Sequence, residues 1–165
     1  MRQPIIGVMG PGEQATPAQV QLAYELGAAI AQAGWILLTG GRKAGVMDAA
    51  SRGAKNAGGL TVGILPSSDR TQLSDAVDIP IFTDMGNARN AITVLSCDGV
   101  VACGMGLGTA SEVALALKSG KFVVLLNVTE VEQQFFQHFA QMQISVTDSV
   151  SQAIAMIQLR LNYSQ

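Results

Sequence analysis

An α/β fold, a parallel sheet with helices on both faces, is predicted by three features of the sequence. Short apolar runs alternate with helix-patterned segments along the chain. Several of these runs end in glycine-rich turns. Two of the turns, Thr39-Gly40-Gly41-Arg42-Lys43-Ala44-Gly45 and Gly104-Met105-Gly106-Leu107-Gly108-Thr109, lead directly into a helical pattern, as the connections of a parallel sheet require. In such a sheet the turns gather beyond the carboxyl ends of the strands, so distant segments meet there.

Each element has its own signal. Ile5–Met9 is an apolar run stopped by Gly10-Pro11-Gly12, hence a first central strand. Thr16, Pro17 and Gln19 form a capping-box start, and Leu22, Leu26, Ile30 and Ala33 continue a helical stripe that Gly34 ends. Residues 35–39 form the second strand, residues 46–57 a helix of small residues stopped by Gly58-Gly59, and residues 60–65 the third strand. Residues 66–78 lack periodicity and form the longest loop, placed to cover a site. A short strand at 79–83, a helix at 87–97 and a buried strand at Gly99–Cys103 precede the central glycine turn and its helix, which Lys118-Ser119-Gly120 closes. Residues 122–126 are a further buried strand, residues 130–141 and 149–161 are helices, and residues 144–146 form an edge strand between them.

Composition narrows the function. All 165 residues are expected to form one domain, with no repeat or low-complexity segment. At 48% hydrophobic, 5% aromatic and 13% charged residues, the core must be aliphatic, and the sparse charge predicts that some surface is buried in a homo-oligomer. A net charge of −2 without a basic stripe argues against nucleic acid. No apolar run approaches the roughly 18 residues of a membrane span, and the N-terminal residues show no signal-peptide pattern, so a cytoplasmic location is expected. Cys97 and Cys103 lie in apolar surroundings at a spacing that matches no zinc or redox motif, which predicts buried free thiols.

The glycine turns carry the chemistry. Gly104, Gly106 and Gly108 permit close backbone approach, and the unpaired N–H groups of the helix start that follows make a cradle for an anion, phosphate above all. Gly40, Gly41 and Gly45 suggest a second cradle, to which Arg42 adds a planar charged fork. Gly10 belongs to a third turn at the same end of the sheet. A dinucleotide fingerprint is absent, because Gly7 to Gly12 does not space as G-x-G-x-x-G and residues 39–40 offer no acidic ribose partner. A Walker A loop is excluded by the missing lysine near Thr109, and the single histidine, His138, in a glutamine-rich amphipathic helix reads as a surface or packing residue rather than a metal ligand. No protein metal site is expected.

Thr39-Gly40-Gly41, Gly45-Val46-Met47 and Gly106-x-Gly108-Thr109-x-x-Glu112 resemble the Rossmann-like superfamily of the cytokinin-activating LONELY GUY phosphoribohydrolases, the lysine decarboxylase-like proteins and the molybdenum cofactor carrier proteins. The resemblance covers nearly the whole chain. Its hydrolase branch is marked by P-G-G-x-G-T-x-x-E and an upstream Arg-Lys pair; here Arg89 and Glu112 match, while Gly104 and Met105 replace Pro and the first Gly, and Asn90 replaces the lysine. Residues 85–95 and 108–117 look more like the carrier branch, which implies binding of molybdenum cofactor without transforming it. The resemblance also implies a homodimer or homotetramer, and molybdoenzymes as acceptors of the cargo.

The cofactor is a phosphorylated pterin whose own sulfurs hold molybdenum, so the carrier reading asks for an anion cradle and polar groups around a flat ring. Gly106, Gly108, Thr109 and Ser111 are candidates for the phosphate or oxo groups, with Gly40, Gly41 and Arg42 as the opposite wall. Gly10, Gly45, Arg89, Asn90, Gly104 and Glu112 complete the candidate set. The alternative is hydrolysis of the N-glycosidic bond of a nucleoside 5′-monophosphate, with Glu112 stabilising an oxocarbenium-like transition state and Arg89 orienting substrate. A third reading is a binding module for another nucleotide-like ligand. Two structural roles compete with both: Thr109 and Glu112 have the spacing of a capping box, and Arg89 is placed to pair with Asp84 or Asp98. Glu112→Gln is therefore expected to abolish activity in the hydrolase reading, and in the carrier reading to barely alter cofactor retention beyond a small loss of cap stability.

Overall fold

The computed structural model describes residues 2–163. Seven strands form one sheet in the order β4-β3-β2-β1-β5-β6-β7, with every neighbouring pair parallel. The strands are β1 (Ile5–Met9), β2 (Ile36–Thr39), β3 (Thr61–Leu65), β4 (Ile79–Phe82), β5 (Gly99–Cys103), β6 (Val123–Leu126) and β7 (Ile144–Thr147). The chain winds outward from β1 to β4, returns to β5 beside β1, then winds outward the other way. That reversal leaves a crevice at the carboxyl ends of β1 and β5, the standard ligand position in open parallel sheets. Register places Val8 beside Val101 and Met9 beside Ala102, so the turns that follow these two strands emerge side by side.

Helices α1 (Pro17–Gln32), α2 (Gly45–Asn56) and α6 (Val150–Tyr163) cover one face, where Leu26, Ile30, Val46 and Ile157 pack on Ile6, Val8 and Val101. Helices α3 (Asn90–Leu95), α4 (Leu107–Lys118) and α5 (Glu130–Ala140) cover the other, where Val94, Val113 and Phe136 pack on Met9, Val100 and Leu125. The core is aliphatic as composition requires: Trp35 and Phe136 are its only buried aromatic rings among the described residues. The capping box at the start of α1 forms, with Gln19 N–H donating to Thr16 Oγ1 at 3.2 Å and Thr16 N–H to Gln19 Oε1 at 3.0 Å. No helix among the described residues is long and apolar enough to cross a membrane.

Cys97 packs in the core on the α3 and α4 side and Cys103 in the core on the α1 side, so the thiols point to opposite faces and stay free. Burial pushes both thiols up to about 12. Neither is expected to react with iodoacetamide at pH 8 in the folded protein, whereas both alkylate rapidly in denaturant. Mass spectrometry after a timed pulse measures this.

Two expectations shift in three dimensions. Residues 87–97 were expected as one helix but begin with a 3₁₀ turn, Gly86–Arg89, before α3. The turn opens on Gly86 at positive φ, two residues after Asp84 at positive φ, and brings Arg89 inward until its Nε donates to Ile64 O at 2.9 Å. The loop at 66–78 contributes no residue to the crevice. It braces the turn after β2 instead: Lys43 N–H donates to Gln72 O at 2.7 Å, Ser74 N–H to Gly41 O at 2.9 Å, and Ser74 Oγ to Asp48 at 2.7 Å.

Candidate functional site

A cavity of about 400 Å³ opens at the carboxyl ends of β1 and β5, within the range of small-molecule sites. Its floor and walls come from four segments: the turn after β1, the turn after β2, the start of α3, and the first two turns of α4.

The α4 segment presents an uncapped helix start to this cavity. Gly106 is the N-cap, with extended backbone and no capping side chain, so the N–H groups of Leu107, Gly108 and Thr109 belong to the unpaired first turn. Ala110 N–H is the first to bond back, to Gly106 O at 2.8 Å. An added Cβ at Gly108 meets nothing within 4 Å, and at Gly106 only Pro11 at 3.8 Å, so both glycines border open space.

This geometry overturns the capping-box role for Glu112. Thr109 lies inside the helix rather than at its N-cap, and Glu112 lies a turn further on, at the cavity wall. Glu112 is only 8% exposed, and its carboxyl takes no hydrogen bond from a described residue. Burial pushes it up to about 7, against the pull of the Arg89 charge.

Arg89 closes no ion pair with Asp84 or Asp98; Asp98 instead pairs with Arg2 at 2.6 Å. The Arg89 guanidinium is 7% exposed, donates Nε to Ile64 O and Nη1 to Asn90 Oδ1, and turns Nη2 towards Gly40. A side chain at Gly40 would meet Met47 Sδ at 2.7 Å and that nitrogen at 2.8 Å, so a larger residue there forces both side chains to shift. Burial lowers the pKa of Arg89, and the Glu112 charge opposes this. Asn90 completes the link by donating Nδ2 to Ser111 Oγ at 2.9 Å, while Ser111 Oγ donates to Gly108 O at 2.7 Å.

The second expected cradle is closed. Gly45 has φ +46°, and a Cβ there would stand 2.0 Å from Gly12 O, so the start of α2 is packed against the first turn. Val46 N–H donates to Pro11 O at 3.0 Å rather than facing a ligand. What this segment offers the cavity is the side chain of Arg42, which bonds Glu13 and donates Nε to Gln72 Oε1 at 3.1 Å.

The cavity thus brings together Gly10, Arg42, Arg89, Asn90, Gly106, Gly108, Thr109 and Glu112. Gly40, Gly41, Gly45, Gly104 and Ser111 stand behind it: Gly104, at φ +73°, leaves room for Gln19, and Ser111 spends its hydroxyl on Gly108 and Asn90. Beyond Pro11, Gly12 and Leu107, which sit within turns already singled out, sequence reasoning missed Glu13, Gln14, Met47 and Asn87 as lining residues. Glu13 and Gln14 had a usable signal, since they follow the turn of a strand at the reversal point. Met47 and Asn87 reach the cavity through tertiary packing alone.

Residues 3–154 match the profile of the SLOG cluster4 family. The structure superposes on the molybdenum cofactor binding protein from the phototrophic bacterium Rippkaea orientalis with a TM-score of 0.96, at 57% identity over 98% of this chain and 99% of that one. It superposes on the Moco Carrier Protein from Chlamydomonas reinhardtii with a TM-score of 0.94, at 52% identity over the same shares of the two chains. A cytokinin riboside 5′-monophosphate phosphoribohydrolase of Mycobacterium tuberculosis is 35% identical over 103 residues, 61% of this chain and 55% of that one.

Proposed function

Since the chain belongs to the SLOG cluster4 family, we propose that it is a carrier that binds and shields molybdenum cofactor as cargo, without chemical change, for delivery to molybdoenzymes. The observation that carries this reading is end-to-end likeness, above half identity, to proteins described as binding or carrying that cofactor. The cavity suits the cargo. The first turn of α4 supplies backbone N–H groups for a phosphate, and Arg42 and Arg89 supply positive charge, the latter in a nearly dry setting where it counts most. The cargo's own sulfurs hold its metal, so the protein has no need of metal ligands.

The hydrolase alternative needs a second cation beside Arg89. Asn90 stands at that position, and both ends of its amide are already engaged, by Arg89 and Ser111. We expect no free base to be released from nucleoside 5′-monophosphates, as chromatography of an overnight incubation measures.

The decisive experiment is to mix the protein with released molybdenum cofactor, pass it through a desalting column, and assay molybdenum and oxidisable pterin. Equal retained amounts are expected. Gly106→Val tests the cradle: its backbone is extended and its Cβ points into open space, so the fold should persist while the added side chain occupies the anion position. Retention should fall at least tenfold, while the melting temperature drops by only the few degrees that loss of a glycine N-cap costs. Wild-type protein that retains nothing, or releases free base, overturns the carrier reading.

The protein is further expected to act in the cytoplasm as a homodimer or homotetramer. Val131, Phe135, Phe139 and Met142 on and beside α5 are between 59% and 88% exposed, which is costly apolar surface for a monomer. A monomeric mass by light scattering at micromolar concentration would refute the assembly.

A further inference from the structure

We propose that Glu112 is the acceptor for the amidine edge of the ligand's ring, the adjacent N–H donors of a 2-amino-4-oxopyrimidine, so that the cavity selects pterins and guanines over rings lacking the 2-amino group. This inference rests on the carrier reading above and adds the ring chemistry that the cavity recognises.

The argument is one of complementary charge. The cavity is positive at its rim and at one wall, from the α4 N-terminus, Arg42 and Arg89. Arg42 is already compensated by Glu13, whose carboxylate is held below its ordinary range first by a backbone hydrogen bond and then by Arg42. Glu112 is therefore the one carboxyl lining the cavity, among the described residues, that no protein donor satisfies, and it is more than nine-tenths buried. Its oxygens open on the cavity, since no fully buried side-chain oxygen among the described residues lacks a partner, so a ligand that displaces water there must bring donors of its own. Arg89 is close enough to act on it through the field, yet no ion pair within 4.0 Å closes between them, because the guanidinium is committed to Ile64 and Asn90.

A ligand that fits must then be bipolar. Its anion belongs at the first turn of α4, and hydrogen-bond donors belong at Glu112. Glu112 lies six residues beyond Gly106, about 9 Å along the helix axis. A phosphate at one end of a bicyclic ring system and an amidine at the other span a distance of that order.

Ring chemistry distinguishes the candidates. A pterin or guanine presents N–H of the ring and of the 2-amino group side by side, matching both oxygens of a carboxylate in a paired fork. A lumazine replaces the amino group with an oxygen, which repels the carboxylate. Hypoxanthine keeps one donor only, and adenine turns a ring lone pair towards it. A site built around a buried polar group rejects a ligand that leaves it unpaired far more strongly than an apolar pocket rejects a misfit.

The test uses full-length protein and two ligand pairs differing only at the 2-position: neopterin monophosphate against its lumazine counterpart, and GMP against IMP, measured by calorimetry. Wild-type protein should favour the amino member of each pair at least tenfold. In Glu112→Gln, whose amide offers one acceptor and one mismatched donor, the preference should shrink below threefold. Equal affinity within both pairs, a preference that survives Glu112→Gln, or failure of all four ligands to bind overturns the proposal. Cofactor retention on the desalting column is scored separately: retention without ring discrimination sinks this inference alone, and absent retention sinks the carrier reading.

Discussion

Arg89→Met should abolish cargo retention and destabilise the protein most at alkaline pH. The side chain is 7% exposed and performs three tasks at once: it caps the Ile64 carbonyl, holds Asn90, and places a positive charge near Glu112. Methionine fills the volume but leaves the carbonyl and the Asn90 amide without their donor, which costs roughly 1–3 kcal/mol for each buried group. The effect on binding is larger, because a desolvated cation facing an anion is lost: a drop in retention of 100-fold or more is expected, about 3 kcal/mol.

The pH dependence has a definite sign. In the folded protein Glu112 is raised from its ordinary 4.5 to about 7, so between those values the folded state binds more protons than the unfolded chain. The contribution of Glu112 to stability therefore falls as pH rises from 4.5 to 7, by roughly 3 kcal/mol at most, and is constant outside that window. Removing Arg89 removes the only influence that lowers Glu112, so the falling region extends above pH 7 and the variant loses more at pH 8.5 than at pH 5. Glu112→Gln should abolish the slope and leave the protein more stable than wild type at pH 8.5. Thermal melts of the two single variants and the double variant across pH 4 to 9 measure all three statements. A wild-type profile without a decline between pH 4.5 and 7 would refute the assignment.

Gly53→Val should unfold the protein or come close to it. Helices α1 and α2 cross with backbone against backbone: a Cβ on Gly53 would stand 1.9 Å from Tyr24 O, and one on Gly27 would stand 2.0 Å from Ala50 O. Helix propensity alone favours any residue other than proline over glycine here, by up to about 1 kcal/mol. Contact prevails over propensity, because the obstructing atoms are main chain and cannot swing aside. The helices must part, and the core they share through Ala23, Leu26, Ala50 and Ala54 opens with them. A loss above 4 kcal/mol is expected, a large part of the stability of an ordinary domain. Even Gly53→Ala should cost more than the propensity gain returns. Urea denaturation followed by circular dichroism decides, and a Gly53→Val midpoint close to wild type would show that the two helices are not locked backbone against backbone.

Much of the architecture was legible because it is encoded locally. The apolar run Ile5–Met9, the capping box of Thr16 and Gln19, and the run Gly99–Cys103 read directly from residue type and spacing, and each appears where it was expected. The parallel sheet followed from their alternation, and the uncapped helix start bordering the cavity followed from Gly106 and Gly108 at a strand-to-helix turn. These features depend on contacts a few residues apart, so periodicity and glycine placement suffice to reveal them.

Tertiary structure alone decided the rest. The turn containing Gly40, Gly41 and Gly45 looked equivalent to the one containing Gly106 and Gly108, yet Pro11 O takes the Val46 N–H and Gly12 fills the space above Gly45. Glu112 had the spacing of a capping residue, and only the placement of the N-cap at Gly106 turned it into a buried cavity carboxyl. Arg89 found its partners in Ile64, 25 residues away, and in Asn90 beside it, rather than in Asp84 or Asp98. Local sequence determined which segments form strands, helices and turns; which of two similar turns faces solvent, and which charged group is left unpaired, depends on the segments that pack against them, and no spacing along a single segment records that.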